Sequence, residues 1–223
     1  LGGPRMRARL ALLVAVLAVP AATLAQAPYY YPPPRADRGL NLGARIGYGA
    51  PFGDLSSDTQ SVGSYVPGKL PIWLELGYRM NRVFILNLFT ELSPAWVDSS
   101  FCTPGTSCSA SDYRIGVDGQ FHFAAHSPID PWFGVGIGVE WLNTHTFDGQ
   151  NGVMVHQTWS GWEFPILEGG LDLAASPNFT FGPFVSLSFG QYTHLQDSEL
   201  GSTSLSTASH GWLEIGVKGT FKL

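Results

Sequence analysis

The side chains able to do chemistry are few and dispersed. The chain has six histidines, and four of them (His145, His156, His194 and His210) lie toward the same end of the repeating segments described below. Imidazoles converging there could bind a metal or act as general bases. No two share the close spacing on one element that a ligand pair uses, so they read as scattered surface histidines, and no metal or cofactor is expected. Nucleophilic catalysis would need a serine beside a histidine oriented by a carboxylate. His126 and Ser127 are adjacent but fall in a short turn at the opposite end, and Ser209–His210 has no assignable carboxylate. No catalytic residue is expected. The two cysteines, Cys102 and Cys108, are too few for a zinc site, which usually takes four ligands.

What remains is charge, and there is little of it. Charged residues make up 13% of the 223 residues, about half the roughly 25% of soluble domains, and the net charge of −5 is too mild to suggest nucleic acid. The first residues supply a compartment. Arg5, Arg7 and Arg9 precede an apolar run, Leu10–Val19, then Pro20 and the small-residue stretch AATLAQA. That order makes residues 1–25 a secretory signal peptide, with Met6 as the start and residues 1–5 as an upstream artefact. The apolar run is too short for a helical span, which needs about 20 residues. Residues 26–39, with PYYYPPPRADRG, form a Pro/Tyr-rich periplasmic tail. In an exported chain, an even cysteine count favours a Cys102–Cys108 disulfide.

The elements that must position the charges follow from residue 40 onward, where the period is two. Leu213, Ile215, Val217, Gly219, Phe221 and Leu223 alternate with Glu214, Gly216, Lys218, Thr220 and Lys222. The same split sets Leu40, Leu42, Ala44 and Ile46 against Asn41, Gly43 and Arg45, and Ile72, Leu74, Leu76 and Tyr78 against Trp73, Glu75, Gly77 and Arg79. Leu86 and Leu88 oppose Asn87 and Glu91; Ile115, Val117 and Phe121 oppose Asp112, Arg114, Asp118 and Gln120. Val135, Ile137 and Val139 oppose Gly134, Gly136 and Glu140; Leu167 and Leu171 oppose Glu168 and Asp172; Phe181, Val185 and Leu187 oppose Gly182, Ser186 and Ser188. Eight such segments of about 9–11 residues suit tilted membrane crossings.

Alternation alone leaves open which face points inward, because a soluble barrel alternates too. The polar faces are crowded with Gly and Ser, as a narrow interior requires. The apolar faces carry almost no charge, Glu163 being the expected exception. Polar connections at 53–69, 97–110, 146–158 and 194–209 alternate with short turns near 81–82, 124–130 and 174–178. Long extracellular loops alternating with short periplasmic turns mark bacterial outer-membrane barrels. Aromatics at strand ends fit two interfacial girdles: Tyr48, Phe52, Tyr113, Trp141 and Tyr192 outside, Phe84, Phe123, Phe133, Phe179 and Phe221 inside. The expectation is an all-β protein: an eight-stranded antiparallel transmembrane barrel with up-and-down order, spanning residues 40–223.

On these patterns the chain resembles the small outer-membrane barrels of the OmpA and OmpX transmembrane type. The resemblance implies assembly by the outer-membrane machinery, with Phe221 as the C-terminal aromatic, although the chain ends in Leu223. No cell-wall-binding domain is expected after the last strand.

Inside such a barrel the charges must pair. The inward acids are Glu75, Glu91, Asp118, Glu140, Glu168, Asp172 and Glu214, and the bases Arg45, Arg79, Arg114, Lys218 and Lys222. Arg45, Glu75, Asp118, Glu168 and Lys218 are expected near one middle layer, and Glu91, Arg114, Glu140 and Glu214 near a layer closer to the outside. Arg114 is placed to bridge Glu91 and Glu140. The expected role is a non-enzymatic barrel with a lumen plugged by this network, serving envelope structure or surface recognition and adhesion. A narrow-pore channel or a lipid A-modifying enzyme is the alternative. Expected partners are outer-membrane lipids and lipopolysaccharide, with the chain a monomer and its surface ligand unidentified.

Overall fold

A computed structural model describes residues 38–55, 61–102, 105–125, 127–148, 153–198, 201–205 and 208–223. The expected signal peptide, nearly all of the 26–39 tail and His126 lie outside these residues. In chain order the elements are β1 (Gly39–Gly53), a single helical turn α1 (Val62–Tyr65), β2 (Gly68–Lys69), β3 (Ile72–Arg79), β4 (Phe84–Trp96), β5 (Thr106–His122), β6 (Ile129–Asp148), β7 (Val153–Ala174), β8 (Phe179–Asp197), β9 (Gly201–Ser204) and β10 (Ser209–Lys222).

Every pairing is antiparallel, and the sheet closes on itself. β10 pairs with β8 on one side and with β1 on the other, from Asn41↔Lys222 to Gly53↔His210. β2 and β3 form a single stave, since both pair with β1 and β4. Leu70 and Pro71 interrupt it, because proline has no N–H for the ladder. β9 pairs with the far end of β8 and is not a stave. The result is an eight-stave meander with no free edge in the ring.

Burial settles which face is inside. On β3, Trp73, Glu75 and Arg79 are buried, whereas Ile72, Leu74, Leu76 and Tyr78 are 41%, 56%, 50% and 47% exposed. The same inversion runs around the ring, with Ile46, Leu88, Val117, Ile137, Val185 and Val217 outward. An apolar exterior around a charged interior is a surface for lipid, not water. Aromatic pairs lie at both rims: Phe84 with Phe121 (4.9 Å) at the turn end, Tyr113 with Trp141 (5.4 Å) and Tyr48 with Trp96 (6.1 Å) at the loop end.

Three sequence expectations are corrected. Glu163 is not on the apolar face; it is fully buried inside. Gly138 faces Glu163 while Gly136 faces Ile166, and on the other side Gly190 faces Glu163 while Ser188 faces Ile166. Two residues of β7, Phe164 and Pro165, therefore stand against one residue on each neighbour. This bulge switches the inward set from Glu168 and Ile166 to Glu163 and Gly161. Tyr192 is not a girdle residue but fully buried, because it shares the inward parity of Ser186, Ser188 and Gly190. The third correction concerns length. β5, β6, β7 and β8 run 17, 20, 22 and 19 residues, far more than the roughly 9–11 that cross a membrane. β6 pairs with β7 through Asp148↔Val153 and with β5 through Thr106↔Asp148, so the described residues of the expected 146–158 loop are paired strand.

At the loop end Cys102 and Cys108 form a disulfide with Cα atoms 6.1 Å apart. It ties a 3₁₀ turn (Ser99–Phe101) to the start of β5. Asp98 caps that turn by accepting from the Ser100 N–H (2.8 Å), and its hydrogen bonds from Ser100 hold its carboxyl below the usual carboxylate range.

Candidate functional site

The site is the interior itself, because that is where the polar faces of all eight staves converge. Nearest the short turns, His122 Nδ1 donates to Asp130 (2.9 Å), whose other oxygen accepts from the Ala124 N–H (2.9 Å). Arg79 donates to the Arg82 carbonyl (2.9 Å), and Thr180 to Asp172 (3.3 Å). A cavity of about 10 Å³, room for one water, lies among Asn41, Asn87, Gln120, His122, Lys218 and Thr220.

The middle layer gathers the residues expected there. Arg45 donates to Glu168 (2.9 Å) and pairs with Glu75. Lys218 reaches Glu75 (3.2 Å) and donates to Gln120 (2.7 Å). Asp118 accepts from Asn87 (2.7 Å). The Arg45 guanidinium lies over the rings of Trp73 (4.7 Å), Phe184 (5.2 Å) and Trp132 (5.5 Å), so aromatic faces complete its surroundings. Above this layer Trp73, Phe89 and Ile166 form a fully inward apolar cluster, with Trp73 and Phe89 rings 4.6 Å apart. Gly116 makes room for it: a Cβ there would strike the Phe89 ring and the Ile137 carbonyl.

The outer layer differs from expectation in its partners. Arg114 donates through Nε and Nη2 to the two oxygens of Glu163 (2.7 and 2.8 Å) and through Nη1 to Glu91 (2.5 Å) and Glu214 (2.8 Å). Glu140, its direct neighbour across the β5–β6 ladder, is not among them. Lys69 supplies a second cation, reaching Asp112 (2.5 Å), Glu91 (2.8 Å) and Glu214 (2.9 Å). Ser93 donates to Glu91 (2.5 Å) and Trp73 to Glu214 (3.2 Å). Glu140 belongs to a separate group: one oxygen accepts from Tyr192 (2.9 Å) and Trp212 (2.8 Å), and the other meets His210 Nε2 at 2.6 Å. The His210 ring stacks on Tyr192, centroids 3.7 Å apart.

Sequence reasoning missed Lys69, Asp112 and Glu163 as members of the Arg114 network, and His210 as the partner of Glu140. Lys69 and Asp112 were legible, since each shares its strand's inward parity with Trp73 and Arg114. Glu163 is hidden by the bulge, and His210 escapes because the far end of β10 is polar enough to resemble loop. His145 and His156 do face each other, stacked 4.2 Å apart across β6 and β7. They are exposed at the loop end.

Beyond the outer layer an apolar cluster crosses the mouth. Leu55, Val62 and Val66 of the first connection pack with Ala110, Leu142, Trp159, Tyr192 and Trp212 of the staves. A concavity of about 770 Å³ lies elsewhere: an open groove on the lipid-facing side among Leu42, Ile46, Leu74, Phe179, Phe181 and Phe221.

No protein-family model and no curated protein matches the sequence. Solved structures do. Neisserial surface protein A aligns with 84% of this chain and 100% of its own at 16% identity, with a TM-score of 0.51. A major outer membrane protein from Thermus thermophilus aligns with 83% of this chain and 99% of its own at 9% identity, with a TM-score of 0.54. At such identities the likeness is one of fold, and it agrees with the lipid-facing exterior: the chain is a small eight-stranded β-barrel of the bacterial outer-membrane type.

Proposed function

We propose that this protein is a non-enzymatic, monomeric outer-membrane barrel whose lumen is plugged by its own side chains, and that its outward extension serves surface recognition or adhesion. Export by residues 1–25, insertion by the outer-membrane assembly machinery, and contact with lipopolysaccharide belong to the same reading. The observation that carries it is the stacking inside the barrel. Two ion-paired layers are separated by the Trp73–Phe89–Ile166 cluster and roofed by Val62, Val66 and Trp212. Eight-stranded barrels are narrow enough for side chains to fill, and permeation here would require parting several buried ion pairs at once.

The recognition half rests on the extended hairpin. Near the tip of β6 and β7, Phe147 and Met154 stand opposite each other and are 43% and 62% exposed, well past the membrane-crossing length. An apolar pair held on paired strands, with Phe147 also opposite Ser107 of β5, is suited to contact another surface. Two measurements test the reading. Proteoliposomes should swell in small sugars no faster than protein-free liposomes, and cells bearing a Phe147→Ser, Met154→Ser variant should adhere less than cells bearing the unmodified protein. Rapid swelling, or unchanged adhesion, would count against the corresponding half.

A further inference from the structure

We propose that Glu140, Glu163 and His210 bind one divalent transition-metal cation, of the Zn²⁺ or Mn²⁺ kind, within the outer part of the barrel. One ligand atom from each residue lies within 4.8 Å of the other two, and all three residues are at most 1% exposed. Donor atoms around such an ion stand roughly 3–4 Å apart, given bonds of about 2.1 Å. A Glu163 oxygen within 4.8 Å of the other two donors needs at most a small inward shift, and the Glu140–His210 contact at 2.6 Å needs only a small opening. An imidazole with two carboxylates is a donor set for Zn²⁺ or Mn²⁺ rather than for Ca²⁺ or Mg²⁺, which prefer oxygen alone.

Each ligand is held from behind. Tyr192 and Trp212 fix the far oxygen of Glu140, Arg114 grips Glu163, and Tyr192 supports the His210 ring. Metal ligands characteristically have such outer partners. Gly190 permits the convergence: a Cβ there would stand 3.0 Å from both Glu163 Cγ and the His210 ring.

Charge balance points independently to a cation. Among the described residues this layer holds five carboxylates (Glu91, Asp112, Glu140, Glu163 and Glu214), each at most 1% exposed, against two fixed cations, Lys69 and Arg114. Protonating His210 still leaves two negative charges unmatched (5 − 2 − 1). A divalent ion on neutral His210 leaves one (5 − 2 − 2). Uncompensated charge in so dry a space is strongly unfavourable.

The test is the metal content of the full chain, stripped with chelator in denaturant, refolded in detergent with Zn²⁺ or Mn²⁺, and desalted. About one equivalent per barrel is expected in the unmodified protein and in His145→Ala, His156→Ala, which removes the exposed pair. His210→Gln should weaken retention by about tenfold or more. If that variant does not fold, Glu163→Asp, which keeps a carboxylate for Arg114 but withdraws it, should show the same loss. A folded, unmodified barrel without metal would overturn the proposal and leave the carboxylates neutralised by protons. So would retention that follows His145 and His156 or survives the His210 and Glu163 variants.

Discussion

Arg114 on β5 and Glu163 on β7 form a two-pronged pair, with N–O distances of 2.7 and 2.8 Å, although β6 lies between their strands. The contact spans the interior rather than running along a ladder, so it ties non-adjacent staves together. The third nitrogen of the same guanidinium reaches Glu91 and Glu214 on two further staves, β4 and β10. One side chain thus couples four strands.

Arg114→Ala should therefore be among the most damaging single changes in the interior. It leaves Glu163, Glu91 and Glu214 short of a cation, and breaking a buried pair in this way costs about 3–5 kcal/mol. Arg114→Lys should fall between, because a point charge cannot serve both oxygens of Glu163. Urea unfolding followed by the gel-mobility shift between folded and boiled protein measures both; equal stability of Arg114→Ala and the unmodified protein would contradict the assigned network.

The inside-out surface makes a paired prediction. Leu74 is exposed to lipid and Phe89 is buried. Leu74→Arg should cost about 2–4 kcal/mol if Leu74 lies near the bilayer midplane. Phe89→Ala should cost about 3–5 kcal/mol by opening a cavity beside Trp73 and Gly116. In a soluble barrel the first change would be nearly silent, so refolding into lipid vesicles separates the two architectures.

These residues also show why part of the interior was legible and part was not. A period of two fixes a face only while the strand stays regular. Arg45, Glu75, Asp118, Glu168 and Lys218 sit on regular stretches near the turns, and the layer they form follows from counting residues. Glu163 lies beyond a bulge that no alternation rule announces, and Pro165 is its only trace in the sequence. The Arg114–Glu140 expectation failed for a different reason. Ladder neighbours share a level, but inside a narrow barrel a long side chain reaches across, and Glu140 found neutral donors in Tyr192 and Trp212 instead. The loop-end strands were underestimated because their residues there, such as Ser107, Ser109, Thr146 and Gln157, are polar outside the lipid and lose the apolar signal while keeping their pairing.

The disulfide should matter locally. With a sequence separation of 6, closing so short a loop contributes about 2 kcal/mol at most in the chain-entropy model. Cys102→Ser, Cys108→Ser should still fold and insert, with faster proteolysis confined to the 97–105 connection. Thiol labelling of the unreduced, denatured protein should find no free cysteine, in keeping with the pairing of both.

The claim that the lumen is plugged is tested most directly by single-channel recording in planar lipid bilayers. With the two ion-paired layers and the apolar roof in place, the unmodified protein should give no steady conductance at moderate voltage, while Arg114→Ala, if it inserts, should give measurable openings. A stable, long-lived open current from the unmodified barrel, of the size a water-filled pore carries, would contradict the account.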